Sequence, residues 1–71
     1  MGIADLFPKV LRQERKKLHK TQKQIADEIG YCYQSIHFYE SKKYIPDLEL
    51  AEKLLDTVGC ELVIRRKKYE A

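Results

Sequence analysis

The stretch TQKQIADEIGYCYQSIHFYE, residues 21–40, constrains this chain more than any other. Thr21 followed three residues later by Gln24 has the form of a capping box. In it the threonine oxygen accepts from the third helical N–H, and the glutamine side chain reaches back to the cap. Ile25, Ala26 and Ile29 supply an apolar stripe, and Gly30 stands where a helix commonly ends in a left-handed residue. A helix is therefore expected over 22–29, a tight connection over 30–32, and a second short helix over 33–41. Within that second helix Ile36 and Tyr39 face inward, whereas Tyr33, Gln34, His37 and Phe38 lie on the other side. The aromatic run divides by position.

The flanking segments read as helices as well. Phe7, Val10, Leu11, Glu14 and Leu18 follow a helical period that only Glu14 interrupts, with Asp5 as the N-cap and Pro8 in the first turn. This places a helix over 6–18. After a charged loop over 42–46, Asp47 caps a helix over 48–58 whose stripe is Leu48, Ala51, Leu54, Leu55 and Val58, with Leu50 off it and Gly59 as the stop. The last segment changes period. Cys60, Leu62 and Ile64 alternate with Glu61, Val63 and Arg65, which is strand spacing. An isolated strand is not stable in water, so it packs on its own helices or pairs with its copy in a second subunit. A fifth, frayed helix is the other reading.

At 71 residues the chain is one small domain, which buries only about 60% of its unfolded surface. Cys32 and Cys60 form no CxxC pair, and with two histidines they make no spaced zinc pattern, so no metal and no cofactor are expected. Cys32 and His37 are five apart, off the same-face spacings of a helix, and no third group orients the histidine, so no catalytic residues are expected. No stretch approaches the roughly 20 apolar residues of a membrane span. The start lacks a signal-like segment, and a cytoplasmic protein is the expectation. Charge is unevenly placed. Between Lys9 and Lys23 seven basic residues stand against the single acid Glu14, and a second basic cluster occupies 65–68. That asymmetry suits a polyanion, although solubility alone explains much of it.

A capped short helix, a glycine, a tight turn and a second short helix make the helix-turn-helix pattern. The first helix of such a pair crosses the phosphate backbone while the second enters the major groove. Residues 10–59 resemble the phage-repressor-like, Xre/Cro-type helix-turn-helix family of transcriptional regulators. Thr21 and Gln22 match its opening pair, Ile25 and Ala26 its apolar pair, and Gly30 its turn glycine. Ile36 matches its core isoleucine, Glu40 its glutamate, Arg15 the arginine that commonly pairs with that glutamate, and Pro46-Asp47-Leu48 the start of the next helix. The tail Val-Gly-Cys-Glu-Leu-Val-Ile-Arg-Arg is similar to small antitoxin-like members that end in a dimerisation strand. Three positions depart from the pattern: Lys42 replaces glycine, Cys32 a serine cap, and Lys20 an apolar residue.

The resemblance implies a mainly α, four-helix lambda-repressor-like DNA-binding domain over 1–59, and a short dimerisation strand with a basic tail over 60–71. Tyr33, Gln34, His37 and Phe38 are the implied base-contacting residues, with Tyr33 or Phe38 alternatively packed against the helix over 22–29 or another protein surface. Gln22, Thr21, Lys42, Lys43 and Tyr44 are the implied phosphate contacts, and Arg15 with Glu40 a structural ion pair. Leu62, Val63 and Ile64 are the dimerisation residues. The implied partners are double-stranded DNA, a second copy of the chain, and a cognate toxin or other protein. The implied activity is repression from an inverted-repeat operator. The alternative is an antitoxin-like or adaptor protein whose main role is binding another protein.

Overall fold

The computed structural model describes residues 2–63 of the chain. Among them the backbone forms four helices, α1 (Ile3–Lys17), α2 (Gln22–Ile29), α3 (Tyr33–Glu40) and α4 (Leu48–Asp56). α2 packs on α3 across the tight turn, α1 packs on α3 and α4, and α2 also touches α4. Each helix sends one fully buried side chain to the centre: Leu11, Ile25, Ile36 and Leu54. Phe7, Ala26, Leu50, Ala51, Leu55 and Val58 complete the core, and Val10, Ile29, Tyr39, Cys60 and Leu62 pack at its edge. Covering a large aliphatic side chain stabilises a fold by about 1.5–3 kcal/mol. Four helices sharing one such point therefore hold each other more firmly than their short lengths suggest.

The four helices also end alike. His19 (φ 55°), Gly30 (φ 76°), Lys42 (φ 68°) and Gly59 (φ 75°) are each left-handed. The next N–H in each case reaches back five residues: Lys20 to the Arg15 carbonyl, Tyr31 to Ala26, Lys43 to Phe38, and Cys60 to Leu55, at 2.8–3.1 Å. This bond satisfies a carbonyl that the helix end would otherwise leave open. Two of the four positions hold glycine. The other two hold His19 and Lys42, where a Cβ in this region costs roughly 1–2 kcal/mol. The backbone at Lys42 thus keeps the left-handed shape of a glycine without the glycine.

Several boundaries differ from those read from periodicity. α1 starts three residues earlier, with Gly2 as its N-cap and no side-chain cap. The N–H groups of Asp5 and Leu6 both donate to the Gly2 carbonyl. Asp5 is then part of the first turn, near the positive end of the helix dipole, and Pro8 lies in the interior of the helix. A proline there removes the bond to the Ala4 carbonyl. Phe7, Pro8 and Leu11 are all buried, and packing of an apolar face outweighs the local penalty. Leu18 is half exposed because it caps α1 where the chain turns away. In α4 the two flanking leucines exchange roles: Leu50 is 8% exposed and Leu48 64%. Residues 60–63, where alternation leads one to expect a strand, have no regular structure, since no described segment runs alongside to pair with them. Ile64 and the basic residues 65–68 lie outside the described residues.

Candidate nucleic-acid interface

The corner between α1, α2 and α3 is built around one carboxylate. Arg15 donates from Nε to Glu40 Oε2 at 2.7 Å and from Nη2 to Oε1 at 2.9 Å. Gln22 Nε2 donates to the same Oε1 at 3.2 Å. The third arm of the guanidinium, Nη1, donates 2.9 Å to the Lys20 carbonyl, just past the left-handed His19. Side-chain exposure is 11% for Arg15 and 4% for Glu40, so the pair is largely shielded and every arm has a partner. A planar fork meets a carboxylate in this way and a lysine cannot. The end of α1, the start of α2 and the end of α3 are thereby fixed to each other.

α2 is held at its start by the complete capping box. The Gln24 N–H donates to Thr21 Oγ1 at 3.0 Å, and the Thr21 N–H to Gln24 Oε1 at 2.7 Å. The Gln22 and Lys23 N–H groups are left at the positive end of the helix, where an anion is stabilised. Gln22 donates one amide hydrogen to Glu40, and its amide carries a second. Lys20, at a position that is apolar in the family pattern, is a second brace: its Nζ lies 3.0 Å from Glu28 Oε1 and donates 2.7 Å to the Thr57 carbonyl at the end of α4. The corner is bridged there rather than opened to solvent.

On the outer face of α3, Tyr33, Gln34 and His37 are exposed. Phe38 is not part of that open face. Its ring is half buried, meets the Tyr44 ring edge-on at 5.3 Å between centroids, and has the Lys43 ammonium 4.6 Å above it. Phe38 supports the α3–α4 loop and sets where Lys43 and Tyr44 project. Lys42 forms a 3.2 Å pair with Asp5 in which both side chains are more than half exposed. Such a pair contributes about 0–1 kcal/mol. Cys32, the N-cap of α3, makes no side-chain cap bond.

Two residues of α1 border this surface although they are not among the residues singled out from the sequence. Arg12 and Lys16 share a cleft with Gln22, His37 and Ser41, over the largely shielded Arg15–Glu40 pair. Their signal in the sequence is the spacing of four, which sets both on one stripe of a helix, within a run otherwise read only as net charge.

The helix-turn-helix family matches residues 11–64, which spans all of this corner and the core behind it. The chain belongs to that family. It is a helix-turn-helix chain of the phage-repressor-like, Xre/Cro type, a class of DNA-binding regulators and not of enzymes. Over 48 residues, 68% of the chain, it is 42% identical to the cryptic phage CTXphi transcriptional repressor RstR of Vibrio cholerae. Over 52 residues, 73% of the chain, it is 35% identical to an HTH-type transcriptional regulator of Methanothermobacter thermautotrophicus. The aligned part spans 43% of the phage repressor and 75% of the archaeal protein. No solved structure matches the chain significantly.

Proposed function

We propose that this helix-turn-helix chain is a sequence-specific double-stranded DNA-binding repressor that acts as a homodimer on an inverted-repeat operator. The observation that carries the reading is the exposed Tyr33–Gln34–His37 face of α3, anchored from behind by the Arg15–Glu40–Gln22 junction. A reading helix held on rigid supports meets base edges in one register. Gln34 pairs bidentately with adenine N6 and N7, and the aromatic edge of Tyr33 contacts a thymine methyl. His37 bonds to a base or a phosphate. Thr21, Gln22, Lys42, Lys43 and Tyr44 take the flanking phosphates, which fix register without reading sequence. Phe38 serves this loop from below.

The dimer reading has support in a groove between the start of α1 and the α3–α4 loop, whose rim includes Lys42 and Tyr44. Ile3, Ala4, Tyr44, Ile45, Leu48 and Leu62 line an apolar groove of about 370 Å³. Ile45 is 73% exposed, and Ile3, Tyr44 and Leu48 are each more than half exposed. Contiguous apolar surface of this kind marks an interaction site. Leu62, one of the proposed dimerisation residues, lines this groove, which supports a second copy of the chain as the partner of this face. Domain roles then divide as a reading unit over 1–59 and a pairing segment over 60–71.

Selection of bound sequences from a random DNA pool, with the mass of the protein measured in solution, tests the proposal. An enriched palindrome with half-site centres about 34 Å apart and a mass of two chains are expected. An unenriched pool together with a monomeric mass would sink it.

A further inference from the structure

The seam between α1 and α3 has a chemistry that the base-reading and loop residues do not use. Arg12 and Lys16 stand four apart on α1, both exposed. They line a cleft of about 180 Å³ that opens towards Gln22, His37 and Ser41. They also line a wider recess of about 550 Å³ that continues along α1 to Lys42. The two cations therefore lie between the expected phosphate residue at the start of α2 and the one that follows α3.

Among the described residues, neither cation has an acidic partner. Glu14 is held by Lys17 at 3.3 Å, Asp5 by Lys42 at 3.2 Å, and Glu40 by Arg15 at 2.7 Å. The carboxylate on the floor of the cleft already accepts from both Arg15 and Gln22. Like charges four apart on a helix repel each other and destabilise it. Among the described residues no ion pair to either cation relieves that repulsion. A phosphate placed between them would, and Gln22, with one amide hydrogen still to donate, borders the same seam.

We infer that Arg12 and Lys16 form a short-range site for DNA backbone phosphate in the α1–α3 seam, so that α1 grips the strand bordering the groove α3 enters. This inference rests on the DNA-binding reading above. It differs from a diffuse attraction by the whole basic face of α1, because only a direct contact releases counterions from a particular phosphate.

The test uses two double variants that remove the same charge: Arg12→Gln with Lys16→Gln in the seam, and Lys17→Gln with Lys53→Gln away from it. Binding of the full chain to a mixed-sequence duplex is measured from about 50 to 200 mM salt. Circular dichroism checks that both variants fold. Each lost phosphate contact removes about 0.9 from the log–log salt slope. With one such phosphate on each chain of the proposed dimer, the seam variant is expected to lose nearly two units of slope and the control almost none, with the selected sequence unchanged in both. Equal slopes for the two variants would overturn the seam site and leave the DNA-binding reading standing. A wild-type chain with no salt-dependent binding would overturn both. A third arm separates the sources of phosphate. If inorganic phosphate raises the melting temperature of the wild type but not of the seam variant, while their DNA slopes coincide, the seam holds a free anion and the inference fails.

Discussion

The two ends of α1 meet the rest of the molecule in opposite ways. At the C-terminal end, Arg15 brings a charge into a largely closed corner, where each of its three nitrogens donates to Glu40 or the Lys20 carbonyl and Gln22 donates to the same carboxylate. At the N-terminal end, Ile3 faces Tyr44, Ile45 and Leu48 across an open apolar groove. The polar end is complete within one chain. The apolar end is not, since water is a poor partner for that surface. On the proposed function the difference separates two jobs: one end orients α3, and the other meets a second copy of the chain.

The largest effect is expected where the closed end is broken. Glu40→Ala leaves Arg15 shielded without its partner, and removal of one member of such a pair costs about 3 kcal/mol or more. Urea denaturation should show the midpoint falling steeply. A change within a few tenths of a kcal/mol would mean that the corner is held by the core alone. The open end should respond differently. Ile45→Glu with Leu48→Glu should leave stability nearly unchanged and weaken self-association at least tenfold, about 1.4 kcal/mol, by sedimentation. Loss of folding instead would show that the groove belongs to the core of a single chain.

Smaller changes refine the contrast. His19→Gly near the closed end and Lys42→Gly beside the open end each relieve a left-handed residue, and each should stabilise by roughly 1 kcal/mol. Lys42→Gly should gain slightly less in thermal melts, since it also removes the exposed pair with Asp5. If only one of them gains, strain at the other position is relieved in another way. Lys23→Ala sets the lower end of the scale. It removes an exposed pair to Asp27 one helical turn away, worth about 0.2–0.5 kcal/mol. The loss should vanish at high salt.

Much of the reading corner is legible in residue type and spacing alone. The limits of α2 agree with the capping box and Gly30, because a threonine and a glutamine three apart satisfy one another wherever the chain goes afterwards. α3 differs from expectation by a single residue at its end. Errors collect where neighbours decide. A proline and an acid near the start of α1 suggest a helix beginning at residue 6, yet it begins at Ile3, with the Asp5 and Leu6 N–H groups donating to the Gly2 carbonyl. Phe38 shares a face with Tyr33 and His37 by spacing, but the loop folds back so that Tyr44 and Lys43 cover it. Lys20 stands where the family pattern has an apolar residue, yet its ammonium bridges Glu28 and the end of α4, a partner 37 residues away.

By itself the sequence determined what depends on neighbours within a turn or two: the capping box, the glycine stops, the apolar periods and the order of four helices. Such features act over one or two turns of backbone, so residue type and spacing suffice. Only the tertiary structure decided which of Leu48 and Leu50 is covered, that Phe38 supports a loop, and that Arg12 and Lys16 face α3 across a seam. Each of these turns on a surface supplied by a distant part of the chain. The energy of burial or pairing depends on that second surface, and spacing along one helix does not specify it.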